Sequence, residues 1–237
     1  MDTKHKTVRE WLGENPWIIV VVVLVVLFGT LAYTLLPKGY NATVKYYEVE
    51  TYDELKKTLK KYEDILYPDL SRYEKNNMSY AIEHKPRRPE KKTGYTIGMR
   101  NNQDFPEHGT ALWEFEIYCI ELSVLQEMRE DRDDYDFMKF KPNMQLEGIP
   151  LEHTGKDMTN SKNAMAVYGV APQTFLYKNE YIFEYQGCQY RVSGLICLLP
   201  EEQIAKDPEQ EVRKGDDELL EIIKSIIRQR EEREWEN

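Results

Sequence analysis

The hydropathy pattern along the chain changes character early. From Trp17 to Phe28 every residue is apolar, and from Gly29 to Leu36 only Gly29, Thr30 and Thr34 interrupt the run, without a charge. Twenty helical residues at about 1.5 Å each cover roughly 30 Å, the thickness of a bilayer's hydrocarbon core. Fourteen of them are Val, Leu, Ile or Phe. At about −0.3 to −0.6 kcal/mol apiece, such residues favour insertion by several kcal/mol. Valine-rich segments make poor helices in water, but a bilayer forces the backbone to bond within the segment. The pattern predicts a transmembrane helix over 17–36, behind a short tail over 1–16. Pro37-Lys38-Gly39 stops it and opens a stalk over 37–43. A core helix has no need of so long an all-round apolar surface. A cleaved signal peptide would carry a shorter apolar region with a small-residue site behind it, whereas Thr30-Leu31-Ala32 lies inside the run.

Beyond residue 43 the apolar positions become periodic. Val44 to Glu50 alternates and is rich in β-formers, which predicts a strand. Thr51 and Glu54 have the spacing of a capping box. The helix they open is expected to run to about Leu66, with Tyr52, Leu55, Leu59, Tyr62 and Leu66 on its core side and Pro68 as its stop. Met78 to His84 and Thr93 to Arg100 predict two strands around a basic loop. Leu112 to Glu121 predicts another, with Trp113, Phe115, Ile117 and Cys119 on one face and Glu114 and Glu116 on the other. Asn160 to Gln173 is loop-like, with a short strand at Ala164 to Val170. Glu180 to Gln186 and Cys188 to Leu198 form a hairpin turning at Gln186-Gly187. Last, Leu219, Leu220, Ile223, Ile226 and Ile227 share one face of a helix over Asp216 to Trp235. The sum is an α+β domain over 44–237: a mainly antiparallel sheet with two principal helices on one face.

The segment Asn179 to Gln203, with Asp216 to Ile226 after it, resembles the closing part of a bacterial extracytoplasmic domain family of unknown function. The resemblance rests on Tyr181, Phe183, Gly187, Tyr190, Val192, Ser193, Leu220, Ile223 and Ser225, and covers roughly the last 60 residues. It implies a domain on the outer side of a single-pass membrane protein of a Gram-positive bacterium. Some members of that family are membrane-bound anti-sigma regulators, which need a folded cytoplasmic domain. The 16-residue tail here is too short to supply one.

Charge bears on orientation and partners. Lys4, Lys6 and Arg9 precede the apolar run, and Lys38 and Lys45 follow it, a thin bias for a cytoplasmic N-terminus. The 237-residue chain holds 42 acids and 32 bases, a formal net charge of −10. That balance argues against a nucleic-acid partner, which needs a basic footprint. The basic cluster Lys85, Arg87, Arg88, Lys91 and Lys92 is read either as a solvated, proline-stiffened loop or as a contact for an anionic lipid or wall polymer. Asn41-Ala42-Thr43 and Asn77-Met78-Ser79 match the glycosylation sequon, relevant only in a secretory lumen.

The search for chemistry is negative in most places. His5, His84, His108 and His153 form no metal-ligand spacing, and no nucleophile elbow or phosphate-binding glycine loop occurs. The acids from Glu127 to Asp136 fail the calcium-loop pattern, which would need Gly at Asp136 and Glu at Pro142. Cys188 and Cys197 lie too far apart on one strand to bridge, leaving Cys119 to pair with either if strands adjoin, or three reduced thiols. No catalytic residue, metal or cofactor is assigned.

The expectation is therefore a membrane-anchored extracytoplasmic binding or sensing domain, one form of which is an accessory subunit of a cell-envelope complex. Its partners are the bilayer, through 17–36, and a membrane or envelope protein. An extracytoplasmic hydrolase without a recognisable motif is the alternative. An anchor of opposite orientation would instead place the domain in the cytosol.

Overall fold

A computed structural model describes residues 44–73, 77–86, 88–100, 110–130 and 140–235. The span expected over 17–36, its tail and stalk, Arg87, His108 and most of the acidic run lie outside these residues. Among the described residues no helix is long and apolar enough to cross a membrane. The chain divides into two units between Ala42 and Thr43, and the second carries all the described residues.

That second unit is an α+β fold on one eight-stranded sheet. The strands are β1 (Lys45–Val49), β2 (Met78–Lys85), β3 (Arg88–Met99), β4 (Glu114–Glu121), β5 (Met144–Leu146), β6 (Ile149–Asp157), β7 (Phe175–Tyr185) and β8 (Cys188–Leu198). Their order is β1-β2-β3-β4-β8-β7-β6-β5, and each neighbouring pair is antiparallel. The longest pairing, β7 with β8, turns at Gln186 and Gly187. Both have positive φ, 49° and 73°, as a two-residue hairpin turn requires. The helices are α1 (Tyr52–Leu59), α2 (Leu122–Glu130), α3 (Lys162–Tyr168), the single turn α4 (Glu202–Ala205) and α5 (Pro208–Trp235).

Strand alternation divides the sheet into two unlike faces. Ile82, Ile97, Phe115, Ile117, Val192, Tyr190, Phe183 and Tyr181 form one buried face under α1 and α5. From α5, Leu219, Ile223 and Ile226 are fully buried against it. Burying a side chain of that size stabilises by roughly 1.5–3 kcal/mol. Gly215 lets α5 lie close on the sheet, because a Cβ there would stand 2.9 Å from Ile196 Cγ1.

Several expectations are corrected. α1 ends at Leu59 rather than Leu66. Its start is as expected, with Thr51 Oγ1 accepting from Glu54 N at 3.2 Å, though the Glu54 carboxylate accepts from Glu50 N rather than Thr51 N. The stretch after Leu59 runs without regular structure across the sheet, yet Ile65, Leu66 and Leu70 are buried. It can leave the helix because side chains replace the helical bonds. Leu66 N donates to Tyr190 Oη at 3.1 Å and Tyr95 Oη donates to Leu66 O at 2.8 Å. Tyr67 N and Asp69 N donate to Gln229 Oε1 and Ser225 Oγ on α5. Buried backbone groups need such partners.

The strand expected at 164–170 is helix α3, ended by Gly169 at φ 66°. α5 begins at Pro208, so Asp216 and Asp217 lie inside it. Asp207, whose carboxylate accepts from Glu209 N, with Pro208 behind it, supplies the start. The hairpin β5–β6, turning at Glu147-Gly148, and helix α2 were not expected. Trp113 sits not with Phe115 but with Leu176 and Leu195 on the other face. Helices accordingly lie on both faces: α2 packs Val124 and Leu125 against Ile120 at one end of the second face, and Tyr168 of α3 packs on Trp113 and Leu195 towards the other.

Candidate binding site

Between α2 and α3 the second face is polar. In register across it stand Ser79, Gly98, Glu116, Ser193 and Glu180. The adjoining row holds Glu114, Leu195 and Lys178. A cleft of about 380 Å³ opens here, floored by Gly98, Thr96 and Ser193, with Val167 and Tyr168 of α3 along one side and Arg100 and Lys178 among its lining residues. It is half open to solvent, and Val167 is 75% exposed at its rim. The floor is low because Gly98 has no side chain and Ser193 a small one. Glu114 and Glu116 rise from the same strand face, about 7 Å apart along β4.

The cleft's lining carries both signs of charge, Arg100 and Lys178 with Glu114 and Glu116. Partial burial pushes Glu114 above the usual carboxylate range, Arg100 pulls it back in part and Glu116 pushes it up. Burial, then Glu114 and Glu116, raise the Tyr168 phenol, so its oxygen lies in their field. Lys178 is committed to Glu180 at 3.5 Å. Ser79 Oγ donates to Gly98 O at 3.3 Å. Ser193, only 6% exposed, lines the cleft. At the cleft's end Tyr168 meets Trp113 edge-on with ring centres 6.0 Å apart. The buried Trp113 indole N–H finds no acceptor among the described residues.

The described members of the basic cluster lie at the tip of the β2–β3 hairpin expected there, with Lys85 ending β2 and β3 beginning at Arg88, earlier than the expected Thr93. Lys85 holds Glu127 of α2 at 2.6 Å and Lys91 holds Glu121 at 3.5 Å. Lys92 donates to Pro89 O at 2.6 Å and lies 4.6 Å from the centre of the Tyr47 ring. The tip stands beside the start of β1, where Lys45 pairs with His84 and Tyr46 is 72% exposed.

A second polar cluster forms on the covered face. His153 stacks on Tyr181 with ring centres 4.5 Å apart, and its Nε2 lies 3.2 Å from Asn179 Oδ1 and 3.9 Å from Asp216 Oδ1. Tyr181 Oη donates to Asp216. The sequence had left His153 near a loop; it is on β6. The cluster brings together an imidazole, a carboxylate and a phenol, with no serine or cysteine bonded to them among the described residues.

Cys119 and Cys188 are buried and unbridged on adjoining strands, in diagonal register, and Cys197 lies on the opposite face of β8. Burial, then Glu202 and Glu114, push the Cys197 thiol up to about 12. Among the described residues no group of three or more metal-ligating side chains occurs. The carboxylates Glu114 and Glu116 were legible as the outward side of a strand. Ser193 and Tyr168 were not legible as their companions, because register and the path of α3 bring them there.

Comparison with known proteins returns no match: no family model, no curated protein and no solved structure is similar to this chain.

Proposed function

We propose that this is a single-pass membrane protein, anchored through 17–36, whose folded domain lies outside the membrane and binds a ligand at the cleft on the second sheet face. The observation that carries the reading is the cleft: charged and hydroxyl side chains on rigid strands, between the parts of the face on which α2 and α3 pack. Side chains held on strands keep their geometry without a ligand, which lowers the cost of binding. Binding is favoured over hydrolysis. Glu114 and Glu116 offer an acid and a base in principle, but Glu116 is exposed and no third group orients it among the described residues. The hairpin tip adds at most a weak contact with an anionic surface through Lys85, Arg87, Arg88, Lys91 and Lys92, because Lys85 and Lys91 already hold acids of the same domain.

Labelling in intact cells tests the location. Cys119 and Cys188 are buried and the Cys197 thiol is held protonated, so the native chain should react poorly with a maleimide. Ile204 is 91% exposed. The variant Ile204→Cys should react with a membrane-impermeant maleimide added outside intact cells. Reaction only after lysis would place the domain in the cytosol and overturn the reading.

A further inference from the structure

We infer that α2 is a pH-released cover: it stays seated on the second sheet face while the Glu83 carboxyl beside it is protonated, and swings off when that carboxyl ionises. The inference is separate from the ligand reading above and does not rest on it.

The position of Glu83 carries it. One row of the second face reads Tyr46, Glu83, Gly94 and Ile120 across four strands. Gly94 leaves a gap beside Glu83 that its own strand cannot fill, since a Cβ there would run into Cys119 O. On the edge side Tyr46 is 72% exposed, yet Glu83 is 6% exposed. Its cover therefore comes from the other side. Tyr118 Oη donates to the Glu83 carboxylate at 3.4 Å, and Tyr118 packs with Ile120, Val124 and Leu125, the last two from α2. Lys85, two residues along β2, holds Glu127 of the same helix at 2.6 Å.

A carboxylate in that place has no cation to balance it among the described residues. The two bases on the flanking strands, Lys85 and Lys91, are held by Glu127 and Glu121. On β1 the same face offers Tyr46 and Glu48, and on β4 it offers the Tyr118 phenol; none is a base. Behind the strand the Cys119 thiol is pushed up, first by burial, and carries no charge. Burial pushes the Glu83 carboxyl up to about 7, opposed by the Tyr118 bond alone. A buried charge without a partner is costly, so ionisation favours any movement that brings water to it.

The sheet cannot make that movement, because β2, β3 and β4 are each paired on both sides. Helix α2 can. It has nine residues, follows β4 without an intervening loop, and among its described side chains buries only Val124 and Leu125. Elements with few buried contacts open before the rest of a fold does.

The sign follows from linkage. The seated state keeps the Glu83 proton up to about 7, and the released state gives it up near the ordinary 4.5. The ratio of released to seated α2 should be level below that window, rise through it by up to roughly 300-fold, and level off above it. The Lys85–Glu127 pair acts in the opposite sense, since protonating Glu127 at low pH would loosen α2. The direction of the change therefore tells the two apart.

The test is hydrogen–deuterium exchange of the full-length protein in detergent micelles at pH 5 and pH 8, read by peptide mass and corrected for the intrinsic pH dependence of exchange. Peptides covering 122–130 should lose protection at pH 8, by up to roughly 300-fold, while those covering the β7–β8 hairpin keep theirs. Glu83→Gln should hold 122–130 protected at both pH values, and Glu83→Leu, which also cannot ionise, should do the same if the amide disturbs the fold. Glu127→Gln should lower protection of 122–130 at both pH values and leave the rise in exchange between them. Equal protection of 122–130 at pH 5 and pH 8, greater protection at pH 8, or a loss at pH 8 that survives both Glu83 variants overturns the inference. So does a loss shared equally by the β7–β8 hairpin, which would mean that the whole domain opens rather than α2.

Discussion

The two faces of the sheet are built from the same strands and obey opposite rules. On β8, Cys188, Tyr190, Val192 and Ile196 point under α5 and are fully buried. Alternate with them are Gln189, Arg191 and Ser193, which point to the second face. The covered face is aromatic and aliphatic, and its polar atoms serve the chain itself: Tyr95 and Tyr190 hold the backbone of Leu66, and Tyr73 donates to Glu218 at 3.0 Å. The second face keeps small, hydroxylated and charged side chains that pair among themselves at its surface, as Lys178 and Arg191 do with Glu180 and Gln189 does with Glu184. One face spends its side chains on holding the fold, and the other lines an open cleft.

The comparison is broken most forcefully from the covered side. Ile223→Asp would place an unpaired charge among fully buried residues, at a cost of several kcal/mol, most of the stability of an ordinary domain. A thermal melt followed by circular dichroism should show an unfolded or strongly shifted protein. Glu116→Gln on the open face should melt with the native chain. An unshifted Ile223→Asp protein would mean that α5 does not seal the core.

A smaller loss is expected at the tyrosine clamp. Tyr95→Phe and Tyr190→Phe each keep the ring but strip the hydroxyl from a buried backbone group of Leu66. Each should cost about 1–3 kcal/mol in urea unfolding. A loss confined to a few tenths would show that the 60–70 segment is not held as described.

Glu83 sharpens the comparison through pH. It lies on the second face near α2, is 6% exposed, and has Tyr118 Oη at 3.4 Å. Burial pushes its carboxyl up to about 7, and the tyrosine bond opposes this. The folded state therefore holds a proton that the unfolded state releases near the ordinary value of about 4.5. Stability should fall as pH rises through the window from about 4.5 to 7 and change little from this group above it. Glu83→Gln should remove that slope and stabilise the domain at pH 8 by roughly 1–3 kcal/mol. An unchanged slope in chemical denaturation across that window would refute the assignment.

The smallest effect is at the hairpin tip. Vesicles with anionic lipid should bind the protein's folded domain weakly, with affinity falling steeply between low and high salt. Replacing Arg87, Arg88, Lys91 and Lys92 with Ser should remove what binding there is without moving the melting temperature. Binding that survives both changes would point to Tyr46 and Tyr47 instead.

Much of the covered face was legible because burial imposes a period. Phe115, Ile117 and Cys119 alternate, Leu219 to Ile227 recur at helical spacing, and Gln186-Gly187 names its own turn. The path after Leu59 was not legible. Tyr62 and Leu66 continue a helical spacing by coincidence, while the groups that release the backbone, Tyr95 and Tyr190, lie 29 and 124 residues from Leu66. Helix α3 was missed because Ala164, Met165 and Ala166 serve either structure over so short a run. Trp113 was placed on the wrong face because the alternation was carried one residue past the strand, which begins at Glu114. At the cleft, Glu114 and Glu116 were visible as outward residues of one strand. That Ser193 lies beside them depends on β8 pairing with β4 across 76 residues, and local patterning does not encode such a pairing.

The central claim is that the open face, and not the covered one, receives a ligand. Carboxyl footprinting tests it most directly. The full-length protein would be treated with a diazo reagent that esterifies carboxyl groups, with and without a small-molecule extract of the cells that make it, and modification read by peptide mass. Glu114 and Glu116 should be protected by the extract, while Glu209, whose side chain is 85% exposed on α5, keeps its rate. Equal modification of Glu114 and Glu116 in both conditions, or protection that appears at Asp216 on the covered face instead, would contradict the account.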